Sequence, residues 1–187
     1  LREFFKKKSI PTTGLKYSIQ GFGNVGSFTS KFLSQMGMIC VAVGDHTGYY
    51  YSPSETGFDT EELTLYNKAN RSLKGYSHAQ TITRSQFFSL NIDVLVLAAL
   101  ELQLCKEEAT LLNARVVIEG ANGPTNMEAD HILEQKGITV IPDILANSGG
   151  VIVSYYEWLQ NKNKEYWDLA TLREKLEKRM IHTYDTI

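Results

Sequence analysis

Residues 20–27 read Gln-Gly-Phe-Gly-Asn-Val-Gly-Ser. A short β-type run precedes them at residues 15–19, and a helical pattern follows at residues 28–33. A strand, a glycine-rich turn and a helix in that order constrain the fold more than anything else in the chain. Gly21, Gly23 and Gly26 have the spacing of a dinucleotide fingerprint. The first glycine permits a tight turn. The second removes a side chain so that a pyrophosphate can approach the backbone, and the third lets the helix pack close to the strand. The helix N-terminus, with Asn24 and Val25 in its first turn, offers free N–H groups and the positive end of its dipole to phosphates. The bland alternative is a glycine turn with no ligand, and the glycines alone also suit a methyltransferase.

The fingerprint calls for an acid about 20 residues on, at the end of a second strand. Asp45, nineteen residues after Gly26, stands there and is expected to accept hydrogen bonds from the adenine ribose hydroxyls. A carboxylate repels a 2′-phosphate, and no arginine follows within the next several residues, so the cofactor expected is NAD. His46 beside it leaves NADP open.

Strands alternate with helices along most of the chain. Residues 17–20, 39–44, 93–98, 115–119 and 138–141 read as strands; the third (Asp-Val-Leu-Val-Leu-Ala) and fourth are apolar enough to be buried on both faces. Helices are expected over 24–36, stopped by Gly37, from Asp59 through Asn70, over 106–113, and from a capping box at Thr125–Glu128 to Gly137. Two more follow over 151–160 and after a capping box at Thr171–Glu174. The last carries a stripe of Leu172, Leu176, Met180 and Tyr184, read as core packing with an oligomer contact as the alternative. This order predicts an α/β, Rossmann-type, doubly wound and mostly parallel sheet with helices on both faces, plus C-terminal helices. Residues 1–187 form one dinucleotide-binding domain, of which 151–187 is a helical extension. Tyr49, Tyr50 and Tyr51 read as an exposed turn rim.

Composition narrows the class. With 187 residues, 43% of them hydrophobic, the chain can bury a sizeable core. A net charge of −2 gives no sign of a nucleic-acid or membrane-surface partner. No run of 18 apolar residues suits a membrane span, and the charged residues 1–8 lack the apolar stretch of a secretory signal. Cys40 and Cys105 are read as buried thiols in a reducing compartment. No metal is implied.

Two later stretches follow strand C-termini, where open α/β sheets bind ligands. They are Glu-Gly-Ala-Asn-Gly-Pro-Thr at 119–125 and Pro-Asp-Ile-Leu-Ala-Asn-Ser-Gly-Gly-Val at 142–151. Each supplies an asparagine, Asn122 and Asn147, able to donate and to accept; from spacing alone either is a turn residue. Taken with residues 20–27, 93–100 and Val-Ser-Tyr-Tyr-Glu-Trp-Leu-Gln-Asn at 153–161, these stretches resemble the glutamate/leucine/phenylalanine/valine dehydrogenase family. The resemblance runs from about Tyr17 to the C-terminus in one order. It is greatest to the C-terminal, NAD-binding domain of the glutamate dehydrogenases in that family.

The resemblance implies roles residue by residue. Gly21, Gly23, Asn24, Val25 and Gly26 hold the pyrophosphate, and Asp45 holds the adenosine ribose. Ala98 and Ala99 pass close to the cofactor by their backbone. Asn122 and Asn147 orient the nicotinamide half. Val151 and Ser154 line the pocket for a substrate side-chain carboxylate, a hydroxyl donor at Ser154 suiting glutamate better than an apolar amino acid. The bland reading of Ser154 is a helix residue bonded to a preceding carbonyl. The implied activity is oxidative deamination of L-glutamate to 2-oxoglutarate and ammonia with hydride transfer to the cofactor. The implied assembly is a homo-oligomer, usually a hexamer in the family, and the implied location is the cytoplasm or the mitochondrial matrix. The alternatives are a dehydrogenase of another amino acid and a non-catalytic nucleotide-binding or scaffold module.

Three positions depart from the family pattern: Leu97 stands where proline is usual, Ser148 where alanine is usual, and Met127 where proline or a similar residue is usual. Leu97 puts the backbone path at Ala98 and Ala99 in question. The family's catalytic lysine and its partner aspartate lie on a separate N-terminal domain, and no Gly-Gly-x-Lys-Gly stretch occurs here. No catalytic residue is therefore assigned in this chain. It reads as the cofactor-binding half, without the N-terminal substrate domain or the terminal helices, and is expected to be inactive alone.

Overall fold

The computed structural model describes residues 1–186. In chain order the elements are α1 (Arg2–Lys7), β1 (Lys16–Gln20), α2 (Asn24–Gln35), β2 (Ile39–Asp45), β3 (Gly48–Tyr51) and α3 (Thr60–Asn70). Then come β4 (Gln80–Ile82), α4 (Arg84–Phe88), β5 (Val94–Leu97), α5 (Lys106–Leu111), β6 (Val116–Glu119) and α6 (Met127–Gln135). The chain continues through β7 (Thr139–Ile141), α7 (Asp143–Ala146), α8 (Gly149–Asn163) and α9 (Leu169–Thr186). The strands form one seven-stranded sheet in the order β4-β3-β2-β1-β5-β6-β7. Pairings from β2 across to β7 are parallel, and β3 and β4 add an antiparallel edge.

Two apolar layers cover the sheet. One gathers Tyr17, Ile19, Leu33, Val43 and Leu63; the other gathers Phe87, Leu95, Leu97, Leu104 and Leu133. In β5, Val94 and Val96 feed the first layer and Leu95 and Leu97 the second, as the two-residue period of a strand requires, while β1 sends Tyr17 and Ile19 to the first layer and the polar Ser18 and Gln20 to the other face. Tyr17 is wholly buried, and its phenol answers the polar cost of that position. It donates to the Ser30 carbonyl (3.1 Å) and lies within hydrogen-bond distance of the Ser30 and Ser34 hydroxyls (3.0 and 3.1 Å), pinning β1 to α2. Burial pushes the neighbouring Cys40 thiol up to about 12.

The five expected strands fall within one or two residues of the pattern, and the expected helices lie close to theirs; β3, β4, α4 and α7 have no counterpart in it. Several expectations need correction. The tyrosines are strand β3, not an exposed rim: Tyr50 is buried in the first layer, and the Tyr49 ring lies 4.7 Å from Phe87. Asn126, not Thr125, caps α6, its side chain accepting from the Ala129 N–H (2.8 Å), because Thr125 is drawn into a bridge with Leu104. Thr171 lies inside α9, where its N–H donates to Asp168 (2.8 Å), so Asp168 plays the capping part. Cys105 is half-buried, not buried, at the start of α5.

Only the C-terminal half of the α9 stripe packs on the core; Leu172 and Leu176 are part-buried outside both layers. Met180 and Tyr184 pack on the first layer, and Lys7 of α1 pairs with Asp185 (2.6 Å) while its ammonium lies 4.7 Å from the Tyr184 ring centre. No helix among the described residues is long and apolar enough to cross a membrane.

Candidate functional site

The glycine loop closes against its own chain at two of its three glycines. The Gly21 N–H donates to the Gly44 carbonyl (2.8 Å), and its φ of +98° is disfavoured for any residue with a Cβ. A Cβ there would lie 2.5 Å from the Ala98 carbonyl carbon and the Ala99 nitrogen. At Gly26 it would lie 1.9 Å from the Gly21 carbonyl oxygen. Gly23 differs. Its φ is −79°, and a Cβ there would meet no protein atom within 4 Å. The fold itself therefore makes no demand for glycine at 23. That position is the N-cap of α2, whose opening N–H groups at Asn24, Val25 and Gly26 lack intrahelical acceptors. An open approach to unpaired N–H donors fits a diphosphate.

Beside this loop lies a cleft of about 490 Å³ whose lining includes Gln20, Gly21, Gly23, Asp45, His46, Asn67, Arg71, Ala98, Ala99 and Gln103. The Asp45 carboxylate is already engaged. Its Oδ1 accepts from the Thr47 N–H (2.7 Å) and hydroxyl (2.5 Å), closing the β2–β3 turn. Its Oδ2 accepts from the Leu73 N–H (2.6 Å). Each carboxylate oxygen has room for two donors, so Oδ2 keeps one acceptor position for a ribose hydroxyl. Sequence reasoning placed Asp45 at the ligand and did not find its second task of holding the turn and the end of α3.

It also missed Arg71 and Asn67. Arg71, the left-handed C-cap of α3 (φ 54°), comes to the same cleft as Asp45 although 26 positions separate them. The Asn67 side chain donates to the Phe22 carbonyl (2.8 Å) and ties α3 to the glycine loop. No local signal marks either residue, because β3 and most of α3 separate them from the fingerprint along the chain.

A polar network underlies the cleft floor. Gln20 Nε2 donates to Gln103 Oε1 (2.8 Å), and Arg84 donates to the Gln103 carbonyl (2.5 Å), the Tyr49 hydroxyl (2.7 Å) and Glu108 (2.8 Å). Burial raises the Glu108 carboxyl, and hydrogen bonds from Arg84 and from backbone N–H groups outweigh it, holding the group below its usual value. This network fixes the segment after β5. Leu97 does not disturb that segment: it is wholly buried in regular register with Gln20 and Glu119, and the Ala98 N–H donates to the Gln20 carbonyl (2.7 Å).

On the far side of that segment lies a second cleft of about 1160 Å³. It shares Ala99, Leu100 and Gln103 with the first, so the two clefts adjoin across that segment. Its lining includes Asn122, Asn147, Val151 and Ser154. Asn147 Nδ2 donates to Asn122 Oδ1 (2.6 Å). Among the described residues the Ser154 hydroxyl makes no hydrogen bond, unlike the helical Thr64, Thr110 and Thr183, which bond the carbonyl one turn back. Asn24, Val25 and Gly26 line neither cleft. Val25 packs near Gly120, whose added Cβ would lie 3.2 Å from it.

Two acids stand under the asparagines. Glu119 at the end of β6 is buried and accepts the Asp143 N–H (3.0 Å). Burial raises its carboxyl above the usual value, and the Asp143 and Asp130 charges add to the rise. No lysine lines either cleft.

The comparisons agree with this geometry. The family model for "Glutamate/Leucine/Phenylalanine/Valine dehydrogenase" matches residues 1–187. The NAD-specific glutamate dehydrogenase of Peptoniphilus asaccharolyticus is 43% identical over 184 residues, covering 97% of this chain and 44% of that protein. The glutamate dehydrogenase of Thermotoga maritima is 46% identical over 171 residues, covering 91% and 41%. Among solved structures, hetero-hexameric glutamate dehydrogenase from Thermus thermophilus superposes with a TM-score of 0.88 at 33% identity, covering 98% of this chain and 43% of that one. L-tryptophan dehydrogenase from Nostoc punctiforme gives 0.66 at 26% identity, covering 97% and 46%. The chain thus spans less than half the length of each of these relatives.

Proposed function

The chain belongs to the glutamate/leucine/phenylalanine/valine dehydrogenase family, and on that premise we propose that it is the NAD-binding half of a glutamate dehydrogenase. The observation that carries this reading is the pair of adjoining clefts, one lined by Asp45 and the glycine loop, the other by the paired asparagines. Asp45 Oδ2 takes an adenosine ribose hydroxyl. The N–H groups opening α2 take the pyrophosphate across the vacant side of Gly23. Ala98 and Ala99 pass beneath the cofactor by backbone, Asn122 and Asn147 hold the carboxamide, and Val151 and Ser154 face the substrate's side-chain carboxylate.

The nicotinamide supplies the hydride acceptor. The parent reaction takes hydride from the α-carbon of L-glutamate and releases 2-oxoglutarate and ammonia after hydrolysis of the imine. This chain's residues bind and orient. No lysine lines either cleft, so on this reading the proton transfers and the charged grip on the substrate carboxylates come from outside these residues, in a protein as long as its relatives, with Val151 and Ser154 adding to the side-chain pocket. Hydride transfer needs a closed, oriented cleft, so the isolated chain binds cofactor without turnover. The parent is a homo-oligomer in a cytoplasmic or matrix compartment.

A second reading, use of NADP, is favoured by one observation: Arg71 lies on the same cleft as Asp45. Calorimetric titration with NAD and NADP, beside an assay of glutamate-dependent cofactor reduction, tests both. Saturable NAD binding without turnover is expected. No binding of either cofactor, or clear turnover by this chain, overturns the reading.

A further inference from the structure

Asp143 is bonded to both segments that carry the paired asparagines. Its Oδ2 accepts from the N–H of Gly123, the residue after Asn122 (2.8 Å). Its backbone carbonyl accepts from the N–H of Asn147 itself (3.0 Å). Its own N–H donates to Glu119 Oε2 (3.0 Å), and its Oδ1 accepts from the Ile144 N–H (2.6 Å). The β6–β7 ladder ends at Ile118 and Ile141. Beyond it, among the described residues, three hydrogen bonds cross from residues 119–126 to residues 142–148: Glu119 to Asp143, Asp143 to Gly123, and Asn122 to Asn147. Two of these three belong to Asp143.

We propose that Asp143 is a positioning residue for the nicotinamide half of the cofactor, clamping the Asn122 loop to the α7 turn so that the two side-chain amides meet. The proposal rests on the cofactor reading above and deepens it. A carboxylate suits the task because both its oxygens accept and neither donates, so it holds the Gly123 and Ile144 N–H groups together. The contact between the asparagines at 2.6 Å leaves one amide donor and one amide acceptor free, and only while the two backbone segments keep their spacing. Loss of the clamp frees the Asn122 loop on its β7 side. The Ala121 N–H to Leu97 bond (2.8 Å) still holds it on the other side, so the sheet and the adenosine cleft are unaffected.

The test compares NADH with ADP-ribose, which lacks the nicotinamide, on wild type, Asp143→Ala and Asp143→Asn, with amide NMR of the unliganded chains. In Asp143→Ala, NADH binding is expected to weaken about tenfold while ADP-ribose binding stays within about twofold. Asp143→Asn keeps one acceptor oxygen and falls between. The Asn147 side-chain amide resonances, distinct in wild type, collapse toward solvent values in both variants. Equal weakening of both ligands means that Asp143 only supports the fold, and unchanged NADH binding means that the clamp is idle; either overturns the proposal. Should wild type bind ADP-ribose but gain nothing from the nicotinamide, the proposal fails while the adenosine site stands. Should it bind neither, the cofactor reading itself fails and takes the proposal with it.

Discussion

Asn147 Nδ2 donates to Asn122 Oδ1 at 2.6 Å, so the two side chains present one complementary edge: a free NH2 donor on Asn122 and a free carbonyl acceptor on Asn147. A carboxamide needs that pairing. Asn122→Asp keeps the acceptor that Asn147 uses and removes the outward donor. NADH affinity is expected to fall about tenfold, the worth of one hydrogen bond lost beside an unpaired acceptor, while AMP affinity holds. Fluorescence titration checks it; equal affinity for NADH in the variant means that the amide edge does not meet the cofactor.

Arg71 lines the same cleft as Asp45, and on the NADP reading it offsets the carboxylate's repulsion of a 2′-phosphate. Arg71→Ala is expected to lower NADP affinity about tenfold and leave NAD within about twofold, because a guanidinium–phosphate bond is charge-assisted and a ribose hydroxyl offers it little. Calorimetry with both cofactors reads the ratio. Parallel loss of both would mean that Arg71 serves the α3 end alone.

The structure also fixes how stability depends on pH at Glu119. A carboxyl whose folded pKa stands above its unfolded value binds its proton more tightly in the fold, so its ionisation destabilises the fold as pH rises through the raised value. Glu119→Gln keeps an acceptor for the Asp143 N–H and removes that charge. The variant is expected to melt higher than wild type at pH 7, with the gap closing as pH falls through the carboxylate range. A gap that stays constant with pH contradicts the assignment. Glu108 has the opposite sign: held low by Arg84, it contributes stability that is lost as pH falls through its depressed value.

Thiol titration separates the cysteines. Cys40 is wholly inside with its thiol pushed up to about 12, whereas Cys105 is half-buried. Ellman's reagent is expected to modify Cys105 alone in the native chain and both thiols in guanidinium. Rapid modification of Cys40 in the native chain would contradict the packing around Tyr17.

What the sequence disclosed follows the range of the forces involved. The glycine loop, the apolar runs of β5 and β6, and the Asp59 cap with its bonds to the Glu61 and Glu62 N–H groups are local, and all were legible. The tyrosine strand was not. Three identical residues show no polar–apolar alternation, and only the fold buries Tyr50 and turns Tyr49 onto Phe87. The misplaced caps have another cause. Thr125 and Asn126 both suit an N-cap, and the bridge from Thr125 to Leu104 decides between them. Arg71 and the clamp at Asp143 depend on segments that meet only after the sheet is built.

The most direct measurement of the central claim uses Gly23→Ala. A methyl group there meets no atom of the protein, and the backbone at φ −79° accepts it. Gly26→Ala serves as contrast, since its Cβ would sit 1.9 Å from the Gly21 carbonyl oxygen and disturb the fold itself. If the open side of the glycine loop receives a pyrophosphate, Gly23→Ala melts at the wild-type temperature yet binds NAD at least about tenfold more weakly by calorimetry. Wild-type NAD affinity in a folded Gly23→Ala chain would show that no phosphate sits there.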